Sequence, residues 1–279
     1  MKQFYVLGNP IGHSRSPFIH RSFAASLGHE LSYEAMLVPL DGFAAVVEKM
    51  KREGFSGCNV TVPFKEQAFA LSDELSDRAR FAGAVNTLAY DGSRLYGDNT
   101  DGEGLVQDLL RKKVMLEGAR ILVLGAGGAA KGILAPLLAR NPSRLHIANR
   151  TAEKAVKLAD HVRDVAGCPV TGGGFGDIAG QFDLIVNATS ASISGQVPPL
   201  PEESCGSRTF AYDLMYAPED TPFVSWAKGR GLAASDGLGM LVEQAAESYL
   251  LWCGARPETS GLIEALRRSM REESGAVHS

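Results

Sequence analysis

The run Ile121-Leu-Val-Leu-Gly125-Ala126-Gly127-Gly128-Ala129-Ala130 constrains this chain more than any other stretch. Four aliphatic residues without a break read as a strand buried on both faces, as a parallel sheet requires. A glycine-spaced turn follows and opens onto a helical pattern, so the segment predicts strand, tight turn and helix. In this G-x-G-x-x-A arrangement Gly125 permits the turn, Gly127 lets backbone approach a pyrophosphate, and the helix N-terminus stabilises phosphate charge. The next strand, Leu145-His-Ile-Ala148, ends in Asn149-Arg150-Thr151. An NAD site places Asp or Glu there, to accept from the ribose 2′-hydroxyl. The planar cation of Arg150 instead suits a 2′-phosphate, with Thr151 and Lys154 close in sequence. NADP(H) is therefore expected over NAD(H); the competing reading is that Arg150 only caps a strand end.

Further strands are read at residues 184–186, 210–214 and 232–234, with a helix from Thr221-Pro222, so this half is expected to form one doubly wound nucleotide domain. Asn187-Ala-Thr189-Ser190 falls where a cofactor-side loop belongs, and residues 192–207, with Pro198, Pro199 and Pro201, read as a loop. The run Gly172-Gly-Gly-Phe-Gly176 has no convincing strand before it and reads as a surface turn. Pro136 is expected to kink or break its helix. The charged stretch 112–120 reads as a connector between domains.

The first half also alternates strands and helices, which argues for a parallel-type α/β layer. A strand at residues 4–8 leads through a polar turn to Ser16-Pro17, a helix start with Ser16 as N-cap and Pro17 in the first turn. Ser14 and Ser16 beside that N-terminus form either a simple cap or an anion site. In Asn59-Val-Thr61-Val-Pro-Phe-Lys65 a β-branched run ends at Pro63, and a helix to about residue 75 opens on Lys65. A lysine there opposes the positive end of the helix dipole, at a cost of a few tenths to about 1 kcal/mol. It is either a surface accident or part of a site that Asn59 and Thr61 also face. Thr100-x-x-Glu103 reads as a capping box for a helix to about residue 111, which puts Asp101 in a first turn where a carboxylate is favoured on structural grounds alone. Met240 and Gln244, four apart in a helix from Gly237 to Trp252, share a face. The closing segment, Pro257 to about Glu272, is amphipathic and is expected to pack back on the first domain, with residues 274–279 frayed.

Several classes are set aside. With 279 residues, 45% hydrophobic and 22% charged, and a net charge of -4, the chain reads as globular, with no basic stripe for nucleic acid. The opening MKQFYVLGNP reaches Gly8 and Pro10 too soon for a signal peptide, so a cytoplasmic protein is expected. The most apolar stretch, residues 121–139, holds Lys131 and Pro136 and fits strand-turn-helix better than a membrane span. Four cysteines and six histidines show no metal-ligand spacing, so no metal is expected.

The motifs together resemble the shikimate dehydrogenase family. They run from Gly8-Asn-Pro-Ile-Gly-His-Ser14-Arg-Ser16-Pro through Asn59-Val-Thr-Val-Pro-Phe-Lys65, Ala82-Gly-Ala-Val-Asn86-Thr and Asn99-Thr-Asp101. Gly125 to Ala130, Asn149-Arg-Thr151, Asn187-Ala-Thr-Ser190 and Gly239-Met-Leu-Val-Glu-Gln244 complete the set. The resemblance implies a two-domain α/β enzyme: an N-terminal α/β substrate domain (1–101), a Rossmann-type NADP domain (102–236), and C-terminal helices (237–279) returning to the first. It implies reversible reduction of 3-dehydroshikimate to shikimate in a cleft between domains, by a monomer or homodimer. Lys65 and Asp101 would be the catalytic pair. Ser14 and Ser16 would hold the substrate carboxylate, and Asn59, Thr61, Asn86, Tyr216 and Gln244 its other groups. Gly125, Ala126, Gly127, Gly128, Ala129 and Ala130 would hold pyrophosphate. Asn149, Arg150, Thr151 and Lys154 would meet the adenosine phosphate, while Thr189, Met215, Gly237 and Met240 would line the route to the nicotinamide. Two departures stand out: Arg21 where the family often has Asn, and Lys154 where NADP users often carry a second arginine, which keeps charge but loses the bidentate fork. Alternatives are a quinate/shikimate dehydrogenase with relaxed cofactor use and a non-catalytic NADP-binding sensor. A methyltransferase is disfavoured by Arg150.

Overall fold

The computed structural model describes residues 2–277. The chain forms two compact units, one of Met1–Gly104 with Leu241–Leu262, the other of Leu105–Met240 with Ile263–Ser279.

The first unit holds β1 (Lys2–Gly8), α1 (Ser16–Leu27), β2 (Leu31–Leu37), α2 (Phe43–Glu53), β3 (Gly57–Val60), α3 (Lys65–Leu71), β4 (Glu74–Leu75), α4 (Asp77–Ala82), β5 (Thr87–Tyr90) and β6 (Leu95–Asp98). The sheet order is β2-β1-β3-β5-β6-β4. The strands β2, β1 and β3 are parallel as expected, but β5 runs antiparallel to both β3 and β6. A four-residue hairpin joins β5 to β6, with the Asp91 carboxylate accepting from the N–H groups of Ser93 and Arg94 at 2.8 Å. So short a connection can only join antiparallel neighbours.

One face packs Leu7, Phe43, Val47, Val60 and Phe64, with Phe43 and Phe64 stacked at 5.0 Å. On another cluster, Phe4 stacks on Trp252 at 4.6 Å, and the indole N–H donates to Leu88 O at 3.0 Å. A Cβ at Gly57 would lie 2.5 Å from Trp252 Nε1, so glycine there makes room for the ring. The α1 start differs from expectation. Arg15, not Ser16, is the N-cap, and the Ser14 hydroxyl accepts from Ser16 N–H at 3.3 Å. The chain turns into the helix one residue earlier than the Ser-Pro signal suggests, which leaves the Ser16 hydroxyl out of capping.

The second unit begins within α5 (Asp101–Arg111), which crosses from the first, and continues with β7 (Arg120–Leu124), α6 (Gly128–Leu138), β8 (Arg144–Ala148), α7 (Ala152–Arg163), β9 (Val170–Gly173), β10 (Phe182–Asn187), β11 (Cys205–Asp213), α8 (Pro222–Gly229) and β12 (Ala233–Ser235). Then α9 (Leu238–Cys253) crosses back, and α10 (Ser260–Val277) ends the chain. All pairs in the sheet β12-β11-β10-β7-β8-β9 are parallel. Ile121, Leu122, Val123 and Leu124 are wholly buried at its centre. Strand order reverses between β7 and β10, and in open α/β sheets that is where ligands bind.

Three expectations change here. Residues 170–173 are an edge strand, β9, instead of part of a surface turn. A Cβ at Gly172 would lie 2.3 Å from Ala155 O, so the glycine permits close packing of α7 on the strand. Pro136 neither breaks nor ends α6, which runs to Leu138, because a missing N–H in the last turn removes only one bond. The closing helix is longer than expected and divides: from Ile263 it groups with the second unit, where Arg267 pairs with Asp236 and donates to Ala217 O. Of the segment expected to fray, residues 278 and 279 lie outside the described residues. Among those residues no helix is long and apolar enough to cross a membrane.

Candidate active site

In the first unit α3 opens on Lys65 immediately after the turn that leaves β3, and its N-cap Phe64 offers no side-chain cap. The Lys65 ammonium instead donates to Asp101 Oδ2 at 2.5 Å, with side-chain exposures of 30% and 21% for the pair. Asp101 comes from the first turn of α5, and its other oxygen accepts from Asn86 Nδ2 at 2.7 Å. The Asn86 amide cannot flip, since its Oδ1 accepts from the Thr100 N–H at 2.9 Å, an obligate donor. Its NH2 therefore faces Asp101, Thr100 Oγ1 (3.0 Å) and Gln244 Oε1 (3.3 Å).

Behind this pair lies a buried network. The Tyr33 hydroxyl donates to Asn59 Oδ1 at 2.6 Å, which turns the Asn59 NH2 toward Ser248 Oγ (3.0 Å) and Thr87 Oγ1 (3.1 Å). Thr87 in turn donates to Asn86 Oδ1 at 2.8 Å. A continuous path of hydrogen bonds thus joins Tyr33 to Lys65 through two amides, the Thr87 hydroxyl between them and a carboxylate, all buried or half-buried. Tyr33 itself is stacked on His20 at 4.2 Å. Burial lowers the His20 pKa to about 3 against a smaller opposing effect from Asn59, and among the described residues neither ring nitrogen lies within hydrogen-bond distance of a partner. Thr61 is half-buried beside these groups in sequence, and its methyl would collide with a Cβ at Gly8 (2.5 Å). Ser14 is half-buried and Ser16 buried at the start of α1.

The structure thus brings Lys65, Asp101, Asn86, Asn59 and Gln244 into one bonded set. It adds Tyr33, Thr87 and Ser248, which the sequence reading does not single out, and Thr100, which that reading names only as a helix cap. Ser248 lies four residues beyond Gln244 on the same helix face, so helical spacing alone could have found it. Tyr33 carries no such signal.

The expected nucleotide residues lie in the second unit. Gly125 has φ +108°, and a Cβ there would come within 3.0 Å of Ala188 O, so the first turn glycine is sterically required. Gly127 and Gly128 face open space, and α6 has no side-chain cap, so its first-turn N–H groups stand uncovered above an exposed Gly127-Gly128-Ala129 edge. Such a helix end fits a pyrophosphate. Ala126 is half-buried and Ala130 buried. At the end of β8, Asn149 Nδ2 donates to Thr151 O at 2.9 Å, Thr151 caps α7 without a side-chain bond, and Arg150 and Lys154 are exposed. Arg150 has no hydrogen bond or ion pair among the described residues. These donors suit a 2′-phosphate.

Beyond β10, Asn187 Oδ1 accepts from both the N–H (3.1 Å) and hydroxyl (2.6 Å) of Thr189, whose methyl would touch a Cβ on Gly125 at 3.2 Å. The Met215 carbonyl accepts from Gly237 N–H at 3.0 Å, and a Cβ at Gly237 would lie 2.2 Å from Leu214 O. Met240 N–H donates to the Tyr212 hydroxyl, which donates to buried Asp108 at 2.8 Å. Tyr216 is half-buried in the same unit. Among the described residues no three His, Cys, Asp or Glu side chains are grouped as a metal site would need.

Comparison with known proteins agrees with this architecture. Residues 6–88 match the shikimate dehydrogenase substrate binding domain, 108–194 the shikimate / quinate 5-dehydrogenase domain, and 237–267 the shikimate 5'-dehydrogenase C-terminal domain. A shikimate dehydrogenase (NADP(+)) of Chromohalobacter salexigens is 54% identical over 96% of this chain and 98% of its own. The crystal structure of an Ael1 enzyme from Pseudomonas putida superposes with a TM-score of 0.89 at 40% identity, covering 95% of this chain and 98% of that one. Shikimate 5-dehydrogenase from Thermus thermophilus, solved with NADP(H) and shikimate, gives 0.83 at 36%, covering 96% and 99%. The chain therefore belongs to the shikimate dehydrogenase family.

Proposed function

We propose that this protein catalyses the reversible reduction of 3-dehydroshikimate to shikimate with NADPH. The observation that carries the proposal is the Lys65–Asp101–Asn86 chain, a proton donor held by a carboxylate whose own orientation is locked. The bound cofactor supplies the hydride. As the substrate ketone takes on negative charge, the Lys65 ammonium delivers the proton that makes the hydroxyl, and as a neutral amine it accepts that proton in the reverse direction. Asp101 orients the amine and offsets the opposing helix terminus. Ser14 and Ser16 hold the substrate carboxylate: the Ser14 hydroxyl accepts from Ser16 N–H and keeps its own proton to donate. Asn59, Thr61, Asn86, Gln244 and Tyr216 bind the remaining oxygens.

On the cofactor side the uncovered N–H groups of α6 and residues 125–130 take the pyrophosphate. Asn149, Arg150, Thr151 and Lys154 take the 2′-phosphate, and Thr189, Met215, Gly237 and Met240 line the nicotinamide end. The enzyme works in the cytoplasm as a monomer or homodimer. Shikimate and quinate oxidation, each followed with NADP and NAD at the absorbance band of the reduced cofactor, tests the reading. The highest kcat/KM is expected for shikimate with NADP. Cofactor binding without turnover of either acid would leave only a sensor.

A further inference from the structure

Asp213, at the C-terminal end of β11, is wholly buried, and no lysine, arginine or histidine pairs with it among the described residues. A buried carboxylate without a cation is costly unless its oxygens are fully hydrogen-bonded. Here four donors supply those bonds, two from the end of β10 and the turn after it and two from the connection between β11 and α8. Oδ1 accepts from Met215 N–H and Asn187 Nδ2, both at 3.1 Å. Oδ2 accepts from the Ser192 and Thr221 hydroxyls at 2.6 and 2.7 Å. Burial raises its pKa, while these four bonds act in the opposite direction.

Each bond fixes a piece of chain at the carboxyl ends of the central strands. Asn187 passes its hold to Thr189, which lies against the Gly125 turn. Ser192 belongs to the short 3-10 turn that follows, and Thr221 caps α8. Met215 accepts from Gly237 N–H in its turn. We propose that Asp213 is a positioning residue for the cofactor, the acceptor that assembles the loops at the nicotinamide end. The inference rests on the cofactor site proposed above. Asp213 touches neither cofactor nor substrate in this role, and acts through Thr189 and Met215.

The bonding pattern also says which replacements are tolerated. Met215 N–H cannot accept, and Asn187 is held with its NH2 toward residue 213 because its own oxygen accepts from Thr189 N–H. The two hydroxyls on Oδ2 can rotate to accept instead. An amide at 213 therefore fits, with oxygen toward Met215 and NH2 toward Ser192 and Thr221, whereas alanine removes the acceptor all four donors share and leaves Asn187 Nδ2 only its longer bond to Ser192 Oγ at 3.4 Å.

The test is NADPH binding by fluorescence titration, which needs no turnover and so stands apart from the proposed reaction, together with KM for each ligand. Asp213→Ala is expected to raise the NADPH dissociation constant at least about tenfold, the scale of a lost set of charge-assisted bonds, while the shikimate KM stays within about twofold. Asp213→Asn should recover most of the loss. Unchanged NADPH affinity in Asp213→Ala, or cofactor and shikimate KM rising together, would overturn the inference. If Asp213→Ala does not fold, Ser192→Ala carries the test: a cofactor KM about threefold higher or more, at unchanged shikimate KM, supports the role, and an unchanged cofactor KM removes it.

Discussion

Replacing Asp101 with asparagine removes one charge, and the structure dictates which way the new amide faces. Thr100 N–H holds Asn86 Oδ1 at 2.9 Å, so Asn86 must present its NH2 to residue 101, as it does now at 2.7 Å. The carbonyl oxygen of the introduced amide would answer it, and its NH2 would then point at Lys65 Nζ, which sits 2.5 Å from Oδ2 in the native protein. Two donors would face each other, and the ammonium would turn toward solvent. The bond that is lost is charge-assisted, roughly 1.5–3 kcal/mol. Partial exposure of both side chains places it near the lower end, about 1.5–2 kcal/mol. With the added donor–donor opposition, a proton donor drawn out of line corresponds to a fall in kcat of about 30- to 100-fold. Ser14, Ser16 and Gln244 are untouched, so the KM for shikimate should stay within about threefold. Initial rates of shikimate oxidation at saturating NADP measure both numbers. A kcat within about threefold of the native enzyme, or a raised KM with kcat intact, would refute the orientation argument.

Three further outcomes are expected. Lys65→Ala should lower kcat at least about a hundredfold with little change in KM, the low end of what a positioned acid contributes, and full turnover would remove its role. Arg150→Ala should weaken NADPH binding by about 10- to 100-fold and NADH binding far less, the scale of a charge-assisted phosphate contact; equal losses for both cofactors, read by titration, would remove the 2′-phosphate argument. His20 stays neutral in the fold down to about pH 3, whereas an unfolded histidine takes a proton near 6.5. The unfolded chain therefore binds the extra proton as pH falls through that window, and stability falls with it by up to about 1.4 kcal/mol per pH unit. His20→Phe should remove about 2 kcal/mol of the loss between pH 7 and 5, measured by urea unfolding; an unaltered pH slope would contradict this.

Strand, turn and helix around Gly125 were legible because local chemistry decides them: an unbroken aliphatic run must be buried, and a glycine turn before a helix needs no distant partner. The same holds for Lys65 opening α3, and for Pro222 following a Thr221 cap that accepts from Val224 N–H. Expectations failed where a partner far along the chain had the deciding part. The strand at Val170–Gly173 exists because β8 pairs with it and α7 packs closely on its glycine, neither of which its own residues announce. The antiparallel β5 is a different case, a local four-residue hairpin held by the Asp91 side chain, which a reading of alternating strands and helices passes over.

The sequence by itself determined the alternation of strands and helices, the dinucleotide turn, the choice of Arg150 over an acidic residue, and the residue types of the site. It could not say that Asn86 is locked by Thr100, that Tyr33 and Ser248 stand behind Asn59, or that Asp213 joins two loops through four donors without a counter-charge. Local structure is governed by backbone preferences and spacing, which a linear string carries. Proton direction in a buried network depends on which obligate donor lies within about 3 Å of which acceptor, and only packing brings residues as distant as 59 and 248 to that range.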